Sequence, residues 1–498
     1  MLTDLIRQAG VVGAGGAGFP THAKLAARAN CLIVNAAECE PLIETDKYLC
    51  RTYPQEIVDA ARRVGEHLGA ARIVVALKRT YTREIEALSR AARTGGAPVE
   101  LFLMDAFYPA GDEQILVQLV CGRVVPERGL PLAVGAVVDN VGTMVGIHNA
   151  LRGIPVTDKY LSVTGAVERP IVLKVPLGTP VLDCIRAANP TARPSDIIVG
   201  GPMMGKVHTD AAQIASLSVS KTTGNILVLP KGHHLAAQAE KPLRRIIRQA
   251  QSACLQCRMC TEQCPRYRTG HRIRPHLVMR GIFMEHLVAD KAAYARMYGD
   301  AANCSECGLC ELYACPMGLS PRRVNAFLKG RLRGLGIDMP KNPAPEARES
   351  ILSGKASTNR LEARLGLRAY AQRHADDTCL SLEPERVTLP FSQHIGQPAV
   401  PVRERGDRVE KGELLALAPE GVLSANLHAS IGGVIERIDE QCAVISTLLP
   451  RSGNKKQEFS GDRSQPRFAE FISANRTPRG ASAPRSNPRV VEKQSFST

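Results

Sequence analysis

Two cysteine runs near the middle of the chain have the residue types and spacing to do chemistry. Cys254-x2-Cys257-x2-Cys260-x3-Cys264-Pro265 is followed by Cys304-x2-Cys307-x2-Cys310-x4-Cys315-Pro316. Three cysteines two residues apart, then a fourth before proline, form the ligand pattern of a 4Fe–4S cluster. In two-cluster proteins the fourth cysteine of each run serves the other cluster. That pattern assigns Cys254, Cys257, Cys260 and Cys315 to one cluster, and Cys304, Cys307, Cys310 and Cys264 to the other. Zinc is the competing reading, but a triple of this spacing has one sulfur too many for a CxxC knuckle. Disulfides suit an oxidising compartment and fit such tight spacing poorly. The x4 gap makes Cys315 the ligand that departs from the usual pattern. Clusters of this kind move single electrons. The other cysteines (Cys31, Cys39, Cys50, Cys121, Cys184, Cys379 and Cys442) are scattered and read as small apolar packing residues.

At 498 residues the chain is too long for one core, and roughly three to five domains are expected. No run approaches the ~18–20 apolar residues of a membrane span. Met1–Gly10 carries Asp4 and Arg7 and lacks a signal-peptide layout. A soluble cytoplasmic protein without an integral membrane segment is therefore expected. The formal net charge of +16 is uneven. Residues 231–380 hold 25 Lys and Arg against 13 Asp and Glu, and residues 450–498 hold 10 against 4. Cations close to the cysteine runs suit anionic thiolate clusters. Nucleic acid binding is disfavoured, because the excess coincides with the cysteines and there is no Trp for base stacking. An acidic protein partner fits better.

Alternating helices and strands lie upstream. Leu2–Ala9 reads as a helix that runs into a stretch where five of residues 10–18 are glycine. A loop of this kind exposes backbone N–H groups and lets a phosphate or planar ring approach the main chain. A helix carrying Lys24 follows, then an apolar strand, Cys31–Val34, that ends in Asn35-Ala36-Ala37-Glu38-Cys39-Glu40-Pro41. Gln55–Leu68 has helical spacing, Ala71–Leu77 reads as a buried strand, and Arg83–Ala92 is helical again. Tyr108-Pro109-Ala110-Gly111-Asp112-Glu113 opens a further helix, and Val137–Met144 closes a strand and starts another. This alternation predicts a parallel sheet with ligands at the strands' C-terminal ends.

Residues 158–206 change to short strands and one helix, and end in Gly200-Gly201-Pro202-Met203-Met204-Gly205, read as a tight turn. Asn225–Leu229 is another strand. The region from Lys231 is helical around the cysteines, with Leu277–Met297 amphipathic. Pro340–Thr358 has linker composition. Val387–Thr447 is β in flavour, and His394 and His428 read as surface or turn residues. From Arg451 the composition predicts disorder. No Ser/His/Asp set or hydrolytic metal motif competes with redox chemistry.

The segments Gly13–Lys24, Asn35–Pro41, Tyr108–Glu113 and Asn140–Thr143 resemble, in the same order, the flavin- and NADH-binding fold of the NADH-oxidising subunit of complex I. The resemblance implies FMN held by Gly13, Gly15, Gly16, Gly18 and Phe19 of the loop, with Lys24, Asn35, Asn140 and Thr143. It places Glu38, Tyr108, Gly111, Asp112 and Glu113 on the flavin and nicotinamide side, with Glu38 and Glu113 as the catalytic carboxylates. Ala14, Ala37 and Asp112-Glu113 stand where that family has Arg, Asp and Glu-Glu.

Residues 158–206 resemble an SLBB β-grasp domain, and 402–435 a biotinyl/lipoyl-type half barrel without a cofactor-bearing Lys at the tip. The expected fold class is thus multidomain α/β plus α+β. Its boundaries are 1–155 flavin domain, 156–230 β-grasp, 240–335 α-helical two-cluster ferredoxin-like module, 336–384 linker, 385–448 half barrel and 449–498 basic tail. This order resembles the cobalamin reductases of propanediol-utilisation microcompartments. RnfC, the electron-input subunit of a membrane complex, has similar parts but carries its half barrel first. The resemblance implies NADH-driven reduction of cob(III)alamin and cob(II)alamin inside a bacterial microcompartment, with a B12-handling protein such as an adenosyltransferase as partner. Cobalamin contact would be transient, since no Asp-x-His-x-x-Gly motif is present.

Overall fold

Four parallel strands organise the N-terminal part of the computed structural model, which describes residues 1–191, 195–375 and 377–447. They are β1 (Cys31–Asn35), β2 (Arg72–Lys78), β3 (Glu100–Met104) and β4 (Ala136–Asn140), in the order β3-β2-β1-β4. Alternate side chains go to opposite faces. Leu32, Val34, Val75 and Leu77 pack into one core with the helices Pro54–Leu68 and Val141–Leu151. Cys31, Ile33, Val74 and Ala76 enter a second core on the other face. The helix Pro54–Leu68 shows why the elements end where they do. It starts on a proline, whose missing N–H costs nothing there, and stops at Gly69, which adopts the left-handed conformation at φ 68°.

A six-stranded sheet follows, built from β5 (Asp158–Gly165), β6 (Ile171–Pro176), β7 (Ser195–Val199), β8 (Lys206–His208), β9 (Asn225–Pro230) and β10 (Cys379–Ser381). Their order is β10-β6-β5-β9-β7-β8, with β5 and β9 parallel at the centre. The cysteine region is helical, from Leu243–Ala253 to Pro321–Gly334. The stretch read as amphipathic is three short pieces, Pro275–Gly281, the 3-10 turn Ile282–Leu287 and Lys291–Tyr298. Together they bury Val278, Tyr294, Val324 and Leu328.

The segment 336–384, expected to be a linker, is built into the fold. Ala356–Ser357 pairs with Phe107–Tyr108, and β10 extends the second sheet. Leu361, Leu365 and Leu367 are fully buried in the core that holds Ile33 of the first sheet and Leu227 of the second. Each such leucine contributes about 1.5–3 kcal/mol, enough to fix a stretch whose Pro and Ser content suggests a loop.

The C-terminal strands form two antiparallel sheets around Val387, Leu389, Phe391, Leu415 and Ile435. His428, expected at the surface, is 6% exposed, because the strand Leu427–His428 is paired with Leu414–Leu417. The basic tail from 449 lies outside the described residues. Among the described residues no helix is long and apolar enough to cross a membrane.

Candidate functional site

β1 and β4 are adjacent, with Asn35 opposite Asn140 at their C-terminal ends. The chain turns back across the sheet at this point, which is where α/β folds bind ligands. A cavity of ≈ 900 Å³ lies there, lined by Gly15, Gly16, Asn35, Glu38, Tyr108 and Gly111 among others. Its size is that of a site for a small organic molecule, roughly 300–1,000 Å³.

The wall is built by hydrogen bonds that use the polar motif residues. The Phe19 carbonyl accepts the Gly13 N–H at 2.9 Å and closes the glycine loop. Thr143 Oγ1 accepts the Ala14 N–H at 3.0 Å and holds the loop against the helix Val141–Leu151 that follows β4. Gly16 has φ +102°, and a Cβ there would meet nothing within 4 Å, so its backbone faces open space. Asn35 donates to the Gly111 carbonyl at 2.9 Å and accepts from Ala37 N–H at 3.0 Å. A Cβ on Gly111 would stand 2.9 Å from the Ala37 oxygen, so glycine is required for this approach. Asn140 accepts the Gly142 N–H at 2.8 Å as a helix cap and donates to Asp46 at 2.6 Å. An open glycine backbone beside these fixed amides fits a planar nucleotide cofactor.

Lys24 departs from the expected role. Lys24 does not line the cavity, and its ammonium donates to the Val138 carbonyl at 2.8 Å and to buried Asp139 at 3.1 Å. Asp139 is 3% exposed and needs that cation. Glu113 opens the helix Glu113–Cys121 and lies within electrostatic reach of Lys24. Gly13, Gly18, Phe19 and Thr143 shape the loop without lining the cavity.

Burial, with Asp46 nearby, pushes Glu38 up to about 8. Burial also raises Asp46 to about 6, against the Asn140 hydrogen bond and Lys159, and lowers Lys159 to about 8. A carboxyl whose folded value is raised above its unfolded one is stabilising at low pH, and that contribution is lost as pH rises through the folded value. An anionic ligand should therefore bind less tightly as pH rises from about 6 to 9, as Asp46 and then Glu38 ionise. Flavin titrations over that range, with Glu38→Gln and Asp46→Asn expected to flatten the profile, measure this. A flat profile in the unmodified protein would refute it.

The eight run cysteines fall into two groups. Burial chiefly, then Cys315, Cys254 and Cys257, raises Cys260 to about 12. Burial, then Cys307 and Cys304, raises Cys264 to about 12. Both runs wind the same way, with left-handed residues at Gln256 and Arg258 in the first and at Glu306 and Gly308 in the second. Such turns are costly for side chains other than glycine and mark backbone bent around a site. The x4 gap is absorbed locally. Leu309–Ala314 is a π-helix, whose wider turn takes up one extra residue and delivers Cys315 to the first group. Backbone N–H groups reach Cys304 Sγ and Cys315 Sγ at 3.4 Å, in the manner of hydrogen bonds that tune cluster sulfurs.

The cavity and the second group touch. Cys307 lines the cavity, and Tyr108 Oη donates to its carbonyl at 2.6 Å. Asp112 caps its helix through Gln114 and Ile115 and takes a two-pronged bond from Arg266, at 2.7 and 2.9 Å, two residues beyond Cys264. Glu40 accepts the N–H groups of Met203 and Met204 at 2.8 and 3.0 Å, which fastens the β-grasp turn over the cavity. That turn thus lines the site, beyond its expected role as a connection. The opposite group reaches the surface, with Cys257 exposed and Leu255 65% exposed. Sequence reasoning missed Arg266, Glu40, Asp46 and Lys159. Only Glu40 carried a local signal, as part of the Asn35–Pro41 motif.

A nucleotide cavity that opens onto one of two four-cysteine groups defines a flavin- and iron–sulfur-dependent oxidoreductase. Family models agree with that class: a Nuo51 FMN-binding domain over residues 6–149, an SLBB domain over 160–207, a 4Fe-4S dicluster domain over 253–320 and an RnfC barrel sandwich hybrid domain over 372–448. The cofactors are accordingly FMN and two 4Fe–4S clusters, with NADH as the linked nucleotide. The chain belongs to the family of the cobalamin reductase PduS. It is 39% identical to PduS of Citrobacter freundii over 448 residues, 89% of this chain and 96% of that protein. It is also 39% identical to PduS of Salmonella typhimurium over 450 residues, 89% and 96% of the two chains. A component of the ion-translocating oxidoreductase complex of Rhodobacter capsulatus is 34% identical over 267 residues, 52% of this chain and 48% of that one.

Proposed function

We propose that this protein takes electron pairs from NADH and delivers them singly to the cobalt of cob(III)alamin and cob(II)alamin, its substrates. The observation that carries this is the contact between the nucleotide cavity and Cys307. FMN, when bound, supplies the conversion from a hydride donor to one-electron acceptors. Glu38, with Gly15 and Gly16, faces the flavin and nicotinamide. Tyr108 and the Asp112–Arg266 pair hold the inner cysteines at a fixed place beside them. Cys264, Cys304, Cys307 and Cys310 hold the inner cluster, and Cys254, Cys257, Cys260 and Cys315 the outer one. Exposed Cys257 is the exit toward the acceptor, either cobalamin in transient contact or an acidic B12-handling protein such as an adenosyltransferase. The location is cytoplasmic, inside a bacterial microcompartment.

Anaerobic reconstitution tests the circuit and the acceptor together. About eight irons and about one FMN per chain are expected, with NADH bleaching the flavin and cob(III)alamin restoring its colour while cob(II)alamin forms. Full cofactor content with no cobalamin turnover would refute the acceptor. The match to the Rhodobacter capsulatus protein over half the chain supports a second reading, an electron-input component docked on a membrane complex. Co-fractionation with membranes would favour it.

A further inference from the structure

The glycine loop is overlain by a turn of the β-grasp domain, Ser220–Gly224. A Cβ on Gly18 would stand 2.8 Å from Thr222 Cγ2, and Ser220, Lys221 and Thr222 all line the cavity. Lys221 is 3% exposed. Its ammonium donates to the carbonyls of Gly10 at 2.7 Å and Asn426 at 2.6 Å, both neutral acceptors.

Two other lysines nearby differ. Lys24 is paired with Asp139, and Lys159 has Asp46 in electrostatic reach. Among the described residues no carboxylate pairs with Lys221. Burial alone acts on it, lowering it to about 7. Two histidines feel it: His428, lowered to about 4 by burial and then by Lys221, and His394, lowered by burial and also by Lys221. A buried ammonium without an acid is unstable unless something anionic completes it. The ammonium has three protons and two are used, so one donor is left over on a residue that lines the cavity. The glycine loop's backbone N–H groups supply the same kind of surface a few residues away.

We propose that Lys221, with the Ser220 and Thr222 hydroxyls, receives a phosphate group of the bound nucleotide, so that the β-grasp domain completes the site. This rests on the flavin and NADH reading above. The phosphate is either the monophosphate of FMN or the diphosphate of NADH, and the two are separable.

The test titrates FMN, riboflavin and NADH into flavin-depleted full-length protein, by flavin fluorescence and calorimetry, for the unmodified chain, Lys221→Met and Lys221→Gln. Glutamine keeps an N–H donor for the Gly10 and Asn426 carbonyls, so it separates charge from folding. If the FMN monophosphate is the ligand, both variants lose roughly ten- to a hundredfold in FMN affinity while riboflavin is unchanged. If it is the diphosphate, NADH weakens by a similar factor and FMN does not. Equal weakening of FMN and riboflavin, or no change in FMN and NADH, overturns the role of Lys221. An unmodified protein that binds neither flavin overturns the flavin reading itself.

Discussion

Cys307→Ala halves the iron that the reconstituted protein holds, from about eight atoms to about four, and brings NADH-driven reduction of any external acceptor to background. NADH still bleaches the flavin, because the cavity and its glycine loop are intact. The expectation rests on place in the chain of centres. Cys307 lines the flavin cavity, and its carbonyl takes the Tyr108 hydroxyl, so its cluster is the one electrons must enter. Cys257→Ala is the control. It removes the other cluster, also leaving about four irons, yet NADH should still produce a reduced-state EPR signal from the cluster that remains. The order flavin, inner cluster, outer cluster predicts that the two variants differ in this signal. Identical behaviour, whether both give the signal or neither does, would mean that the order is wrong.

Arg266→Met has the second large effect, on stability and coupling together. Both members of the Arg266–Asp112 pair are close to fully buried, with side chains 10% and 15% exposed. Removing the guanidinium leaves a carboxylate in a low-dielectric site, at a cost of about 3–5 kcal/mol. Burial works to raise the Asp112 carboxyl, but Arg266 and the two helix N–H groups outweigh it and hold the group below its ordinary value. A depressed folded value stabilises above the unfolded value of about 3.9 and is lost as pH falls through the folded one. The stability gap between Arg266→Met and the unmodified protein should therefore be full near neutral pH and close in acid below about 4. Asp112→Asn added to Arg266→Met should recover part of the loss, since the lone charge is gone. Thermal melts of the reconstituted protein across pH measure the gap; a difference below about 1 kcal/mol at neutral pH would show the pair to be solvated.

What could be read from the sequence follows from how far apart the cooperating residues lie. The cysteine runs and the parallel sheet are local: spacing marks the dicluster region, and runs such as Ile33 and Val34 name the strands. The contacts that join the parts are remote in sequence. Arg266 and Asp112 are 154 positions apart, Tyr108 and Cys307 199, and Glu40 and Met203 163. No periodicity signals them. Lys24 matched its motif, but the neighbouring buried Asp139 claims its charge. The misread linker is different. Leu361, Leu365 and Leu367 did carry an apolar pattern, which Pro and Ser around it masked.

The strap made by that segment bears on how the protein turns over. Because β9, before the cysteine region, is held at the centre of the β-grasp sheet and Ala356–Ser357, after it, is stitched to the strand holding Tyr108, the cysteine region is a loop of chain clamped at both ends. Its centres cannot swing between a donor and an acceptor as a tethered carrier would. The protein works as a stationary wire, in which the donor and the acceptor do the travelling.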